Sequence, residues 1–166
     1  MPDELIATYR KLVCLHSQLS DEIARDKNEI HALLAVLFPE FTQVFSDPCR
    51  ATALALLKSY PSAQAIATAG VEVITATFHE LAPRNYGPQT AQQLVSLAEQ
   101  SSRSQLASTA CSVSLKILCD QLEHTRTNLT QLEEELDKLL DKDDAVKGLK
   151  GAPEFGRKTV AALRAE

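Results

Sequence analysis

The sequence has few aromatic residues, few glycines and no tryptophan. Aromatic residues make up 5% of its 166 residues and glycines number five, whereas apolar residues reach 45%. An all-β fold relies on aromatic and β-branched residues in its strands and on glycine in its turns. The composition therefore disfavours a β-sandwich and predicts an all-α protein whose core is built mainly from alanine and leucine.

Long apolar runs and an excess of positive charge are missing as well. No run approaches about 20 residues, the length that a helix needs to cross a bilayer. The first residues, MPDELIATYRK, lack the basic start and the apolar stretch of a signal peptide. The formal net charge is −5, so any contact with nucleic acid would need a local basic patch. These absences predict a cytoplasmic protein with no membrane partner.

Motifs for metal binding and catalysis are also absent. The cysteines form no CxxC pair and the four histidines are scattered, so no metal-ligand spacing is present. Isolated cysteines in a helical chain are most often small core residues. There is no GxSxG or HExxH motif. We therefore predict no metal, no cofactor and no catalytic residue in this chain. The cysteines are Cys14, Cys49, Cys111 and Cys119.

The sequence instead carries a long heptad pattern near its start. Between a start signal at Pro2 and a stop at Pro39, apolar residues recur at alternating steps of four and three. Such spacing places a seam along one face of a helix, as in a coiled coil. His16 and Asp26 also fall on the seam. A polar residue there can fix the register or the partner of a coiled coil, but we expect these two to reach water. Segment 1–38 is predicted to be one long helix, with seam residues Leu5, Leu12, Leu19, Ile23 and Ile30.

A second heptad pattern lies near the other end. No glycine or proline interrupts the chain from Ser101 to Lys147, which allows a helix of about 40 residues, or roughly 60 Å. We assign this helix to 102–147. Two long seams in one chain indicate an antiparallel hairpin, a dimer or both, because the same heptads satisfy either pairing. The seam residues are Leu115, Leu118, Leu122, Leu129, Leu132 and Leu136.

Between the long helices, segment 39–101 is predicted to be an insert of several short helices. Prolines, a glycine and cap residues divide it into short apolar stretches. The stretch VEVITATFHELA (71–82) is rich in β-branched residues and resembles a strand. However, Val71, Ile74 and Phe78 fit one face of a helix better.

The last segment, 148–166, reads GLKGAPEFGRKTVAALRAE. It fails as a Walker A loop, GxxxxGK(S/T), because Arg157 intrudes before Lys158 and an acidic helix rather than a strand precedes it. A helix–hairpin–helix turn, whose backbone N–H groups meet a DNA phosphate, remains open, as does an ordinary corner between two helices. If the turn contacts DNA, the candidate residues are Gly151, Gly156, Arg157, Lys158 and Thr159.

Three further basic residues, Arg25, Lys27 and Arg84, are candidates for nucleic-acid contacts outside this tail. They are separated along the sequence and belong to a chain of acidic net charge. A protein that uses such contacts should lose affinity steeply with salt.

Several motifs occur in a fixed order along the chain. A K-N-x-I-H-x-L-L run occupies 27–34, F-P-E follows at 38–40, and F-x-D-P with A-L-A-L-L-x-x-Y-P-S occupies 45–62. Together with the tail, LKGAPEFGRKTVAALRAE, they resemble the insertion-sequence transposases related to the Piv and MooV DNA invertases. The resemblance covers the central coiled-coil region and the start of the C-terminal domain of that family.

The resemblance implies a modular DNA recombinase. The family has an N-terminal RuvC-like domain with a DEDD set of metal-binding carboxylates, a helical middle and a C-terminal domain with a catalytic serine. In part of the family a structured guide RNA selects the DNA. We expect this chain to start after the carboxylate domain, where the divalent metal would bind, and to stop just inside the C-terminal domain. Asp3 and Asp21 are not expected to belong to the acidic set, and no catalytic residue is carried over.

The resemblance therefore predicts a fragment of a transposase that acts as a helical connector and dimerisation region in DNA transposition. Its expected partners are DNA, guide RNA and a second copy of the chain, through the full-length protein. The alternative is a stand-alone helical module for protein interaction with no nucleic-acid role.

Overall fold

A computed structural model describes residues 2–101, 105–142 and 162 of the chain. The described residues form six helices and no strand, which confirms the prediction of an all-α fold. The helices are α1 (Pro2–Leu37), α2 (Phe41–Val44), α3 (Ala51–Ser59), α4 (Ala63–Leu81), α5 (Pro88–Gln100) and α6 (Gln105–Lys142). None of these helices combines the length and the hydrophobicity that a bilayer crossing requires.

Both heptad patterns lie in long helices of the described residues. α1 contains 36 residues and α6 contains 38. Proline is tolerated in the first turn of a helix because its missing N–H would have no partner there, so Pro2 fits the start of α1. The helix ends two residues before Pro39, and the Phe38 N–H still donates to the Leu34 carbonyl at 2.8 Å.

The insert contains α2 to α5, and its local signals explain their bounds. α3 ends before Pro61, and the hydroxyl of Ser62 then caps α4 by accepting a hydrogen bond from the Ala65 N–H at 3.2 Å. α5 begins with Pro88 in its first turn. The stretch 71–82 is helical up to Leu81, as predicted.

α4 contains a kink at Gly70, the position where the sequence predicts a break between two helices. Gly70 has φ 77° and ψ 169°, a conformation that is essentially restricted to glycine. This conformation interrupts the helical backbone, so Gly70 separates the stretches 63–69 and 71–81, as the sequence predicts.

The chain divides into two compact units. Unit 1 comprises Met1–Arg25 and Glu123–Glu166, and unit 2 comprises Asp26–Leu122. Each long helix contributes one part to each unit. The later part of α1 and the earlier part of α6 belong to the same unit as the short helices. The segments 1–38, 39–101, 102–147 and 148–166, which follow the predicted helices, stay a prediction.

Unit 1 is an antiparallel pair of helices in its described part. Tyr9 of α1 packs with Leu136 and Leu140 of α6, and all three side chains are fully buried. Further along α1, His16 lies beside Glu133, which precedes Leu136 in α6. Later positions in α1 thus meet earlier positions in α6, so the two segments run in opposite directions. Leu5, Leu12, Val13 and Leu139 complete this small core.

Unit 2 has a core with a continuous series of aromatic contacts. The Phe41 ring stacks on Phe45 with centroids 4.7 Å apart, and Phe45 meets Phe78 edge-on at 6.0 Å. Tyr86, in the α4–α5 connection, lies 5.2 Å from Phe45 and 5.3 Å from Phe78. These rings come from α2, α4 and two connections, so they fix several elements against one another.

Candidate functional site

The predicted seam residues all lie on the inner faces of the long helices. The buried ones are Ile30, Leu115, Leu122, Leu132 and Leu136, and the half-buried ones are Leu5, Leu12, Leu19, Ile23, Leu118 and Leu129. In unit 1 the seam of α1 faces α6 of the same chain. Pairing within one chain therefore covers the seam of α1 in this part of unit 1.

The two polar seam residues, Asp26 and His16, differ in how deeply they are buried. The expectation that Asp26 reaches water is wrong, because its side chain is only 1% exposed. The Gln121 amide of α6 donates a hydrogen bond to Asp26 Oδ1 at 3.1 Å, which replaces water at that oxygen. His16 is half-buried, and its Nε2 lies 3.2 Å from Glu133 Oε1.

The basic residues proposed for nucleic-acid contacts belong to separate parts of the chain. Arg25 is exposed and lies 4.0 Å from Glu22, one turn earlier in α1. Lys27 is half-buried. It follows Arg25 by two positions, and residues at this spacing in a helix point to nearly opposite sides. Arg84 is exposed in the α4–α5 connection. The candidates Gly151, Gly156, Arg157, Lys158 and Thr159 lie outside the described residues.

Other lysines are engaged by carboxylates. Lys58 of α3 lies 2.8 Å from Asp120 of α6, within unit 2. Lys138 donates to Glu135 Oε1 at 2.6 Å along the exposed side of α6. That hydrogen bond, and then the charge of Glu135, raises the pKa of Lys138 above its ordinary value. Ion pairing of this kind lowers the positive charge available to a phosphate backbone.

Three side chains of metal-ligand type converge in unit 2. A histidine nitrogen of His31, a carboxylate oxygen of Asp47 and the sulfur of Cys49 all lie within 4.8 Å of one another. His31 belongs to α1, and the other two precede α3. Cys49 is fully buried, whereas His31 and Asp47 are exposed. The thiol therefore forms the floor of this cluster, and the imidazole and the carboxylate form its rim.

Local backbone structure holds two of these ligands together. The Cys49 N–H donates to Asp47 Oδ1 at 2.9 Å, the hydrogen bond of an Asx turn. The Arg50 N–H also donates to the Asp47 carbonyl at 3.3 Å. Asp47 and Cys49 are thus positioned side by side before α3 begins, and α1 supplies the third ligand.

Sequence reasoning missed this cluster because it looked for ligands at metal-motif spacing. His31 and Asp47 are 16 positions apart and belong to different elements, so no spacing rule joins them. The one local signal is Asp-Pro-Cys at 47–49, a turn sequence that places two donor side chains on a loop. The prediction that the chain holds no metal stays a prediction.

Exposed apolar side chains lie on both long helices, and Val36 of α1 is one of them at 48% exposed. Val113 and Ile117 are 54% and 59% exposed, and they lie one turn apart on the same side of α6. In unit 1, a shallow groove runs between α1 and α6 where Leu15 is 43% exposed. The residues that line the groove are Leu12, Leu15, Leu19, Asn128, Gln131, Leu132 and Glu135.

No protein-family model, curated protein or solved structure matches the chain.

Proposed function

We propose that this chain is the helical connector of a DNA transposase of the family that its motifs resemble, and that it pairs subunits rather than catalyses a reaction. The observation that carries the proposal is the antiparallel pairing in unit 1. Tyr9, near the start of α1, packs on Leu140, near the end of α6. Domains attached before α1 and after α6 would therefore be held at the same end of one helix pair.

The place of the resembling motifs in the fold supports this proposal. The motif at 27–34 supplies the buried Ile30 and Leu34, and the motif at 45–62 supplies the buried Phe45, Leu54 and Leu57. The apolar residues of these motifs thus contribute to the core of unit 2. A connector needs such a core, because it must keep its form while the domains at its ends act on DNA.

Subunit pairing through this chain requires a surface that intrachain packing leaves uncovered. We assign it to the α6 stripe, Val113 and Ile117, and to a second copy of the chain as the occupant. Ala110, three positions before Val113, is also exposed and extends the stripe by one turn. One stripe of this kind serves both partners about a two-fold axis, where the same patch meets itself.

Light scattering on the full chain tests the pairing. We expect a mass of twice the 18.2 kDa chain, and we expect Ile117→Glu to restore the monomer, because a charge would be buried against an apolar stripe. Val73→Glu is the matched control, since Val73 is an exposed apolar residue of α4 and is 45% exposed. A monomeric wild-type chain at high concentration, or dissociation by both variants, would contradict the assignment.

Nucleic-acid binding is the second part of the proposal. Fluorescence anisotropy with duplex DNA at several salt concentrations should give weak binding that falls steeply as salt rises. Arg84→Ala and the double variant Arg157→Ala/Lys158→Ala should each weaken it, and one lost phosphate contact lowers the salt slope by about 1. Lys116→Ala, at an exposed position of α6 outside the predicted contacts, should leave it unchanged.

A stand-alone helical interaction module is the second candidate function. The groove of unit 1 favours it, because this groove exposes Leu15 beside Glu135 and would fit an apolar helix that carries a basic residue. The net charge of −5 also suits a protein partner better than DNA. Absent or salt-insensitive DNA binding by the full chain would favour this candidate over the transposase connector.

A further inference from the structure

We propose that His31, Asp47 and Cys49 form a binding site for a divalent ion of the Zn²⁺ type. The three ligand atoms lie within 4.8 Å of one another in unit 2 and come from two separate parts of the chain. This site is independent of the proposed connector function, which assigns no role to these side chains.

The chemistry of the three ligands selects the class of metal. A thiolate, an imidazole and a carboxylate together suit Zn²⁺, which accepts sulfur, nitrogen and oxygen ligands. Mg²⁺ and Ca²⁺ prefer oxygen ligands throughout and would gain nothing from Cys49 or His31. The expected order of affinity is therefore Zn²⁺ and Co²⁺ far above Mg²⁺ and Ca²⁺.

Zn²⁺ binding requires the three ligand atoms to move slightly closer together. A tetrahedral Zn²⁺ lies about 2.3 Å from sulfur and about 2.0–2.2 Å from nitrogen or oxygen, which places the ligand atoms roughly 3.3–3.6 Å apart. Rotation of the exposed His31 and Asp47 side chains toward the buried sulfur supplies the required movement of about 1 Å. Cys49 does not need to move.

The Asx turn prepares one ligand for this role. Asp47 Oδ1 accepts the Cys49 N–H, which orients the carboxylate, as outer hydrogen bonds do for metal ligands in general. Three protein ligands leave a fourth tetrahedral position, and the exposed rim places it toward solvent, where water completes the set. Binding would link the end of α1 to the connection that precedes α3.

The experiment uses the full chain, purified with chelator and reductant and then freed of both. Competition against a chromophoric zinc indicator measures Zn²⁺ affinity, and Co²⁺ titration records the near-ultraviolet absorption of a cysteine sulfur bound to cobalt. We expect saturation at one ion per chain, the cobalt–sulfur absorption, and a higher thermal midpoint with Zn²⁺, because an ion that binds only the folded state stabilises it.

Variants at the site separate its ligands. Cys49→Ser should abolish the cobalt–sulfur absorption. His31→Gln, at an exposed position that does not threaten folding, should weaken Zn²⁺ binding by at least about tenfold, since even changes to outer partners of a ligand cost roughly 10–100-fold. Cys14→Ser and Cys111→Ser are the matched controls, because they remove thiols that lie outside the cluster, and they should change neither reading.

Three results would overturn the site: no Zn²⁺ binding by the wild-type chain at micromolar concentration, a cobalt–sulfur absorption that persists in Cys49→Ser, or equal affinity in His31→Gln and the wild type. Any of them would leave the three side chains as a cluster held by contacts within the protein alone. Failure of the connector proposal would not affect these results, because the zinc and cobalt measurements involve neither DNA binding nor the oligomeric state.

Discussion

Unit 1 and unit 2 bury their apolar residues in different ways. In unit 2, aromatic rings and aliphatic side chains from several helices surround one another, and Phe41, Phe78, Leu54 and Ile66 are fully buried. In unit 1, a cluster of three buried residues is formed across a single contact between two helices. A core that closes in three dimensions excludes water from all sides, whereas a two-helix seam remains open along its edges. We therefore expect unit 2 to be the more stable part of the molecule.

The largest effect should come from the core of unit 2. Phe78→Ala removes a fully buried ring that contacts Phe45 and Tyr86, and it should lower the free energy of unfolding by about 3–5 kcal/mol. Urea denaturation followed by circular dichroism measures the change. Phe78→Leu, which refills part of the space, should cost clearly less. A loss below about 1 kcal/mol, the level typical of an ordinary point mutation, would mean that the aromatic series does not hold unit 2 together.

A substitution at a buried position of unit 1 should have the next largest effect on stability, and this effect should be confined to unit 1. Leu136→Ala should cost about 2–4 kcal/mol, because it leaves a cavity beside Tyr9. Hydrogen exchange followed by mass spectrometry should show lost protection at 4–25 and 123–142, with protection kept at 51–98. Leu15→Ala, at an exposed position of the same helix pair, is the control and should change little. Equal loss of protection in both units would contradict the distinction between them.

The kink in α4 should be sensitive to a single methyl group. Gly70→Ala should cost about 1–3 kcal/mol, because φ 77° and ψ 169° strain any residue with a Cβ. The cost would come from the backbone alone, since nothing lies within 4 Å of the added atom. Gly87→Ala is a matched control, because Gly87 also has open space but a φ of −130°. Thermal denaturation should separate the two variants, and equal midpoints would show that the kink relaxes.

The contact between His16 and Glu133 in unit 1 should contribute less to the free energy of unfolding. Glu133→Gln weakens the attraction to His16 and should change the free energy of unfolding by at most about 1 kcal/mol, because the pair is partly solvated. Glu134→Gln, one position along on an exposed side chain, is the control for the general loss of a negative charge. A loss of several kcal/mol specific to Glu133 would mean that this pair, rather than the apolar seam, fixes the register of the two helices.

The exposed pair of Lys138 and Glu135, near the end of α6, should have the smallest effect on stability. The pKa of Lys138 is raised by its hydrogen bond to Glu135. A raised folded-state pKa gives stability that is present below the unfolded-state pKa and is lost as pH rises through the folded-state pKa. Glu135→Gln should return the Lys138 pKa toward its ordinary value without a measurable change in thermal midpoint near neutral pH. An NMR titration of the lysine side chains measures the shift, and an unchanged Lys138 pKa would contradict the assignment.

Much of the architecture follows from periodicity. The heptads locate both long helices, because a stripe of leucine and isoleucine at steps of four and three can be buried only on one helix face. Prolines and a serine cap locate the short helices for similar local reasons. Gly70 locates the break within α4 in the same way, because a glycine in an apolar pattern often interrupts a helix.

Features that depend on contacts between distant parts of the chain escaped prediction. Asp26 looked like a solvated seam position until Gln121, 95 positions away, proved to supply its hydrogen bond. The cluster of His31, Asp47 and Cys49 likewise exists only because α1 passes the connection before α3. The spacing of residues along the sequence does not predict contacts between such distant positions. The candidates in the tail at 148–166 lie outside the described residues and remain predictions.

The connector proposal is tested most directly by sequencing the DNA on both sides of this reading frame. We predict an in-frame upstream segment that encodes a carboxylate-rich domain and a downstream segment that encodes a domain with a catalytic serine. In that case α1 and α6 hold the two catalytic parts at one end of the helix pair. Stop codons that close the frame on both sides would contradict the proposal and leave a stand-alone helical module.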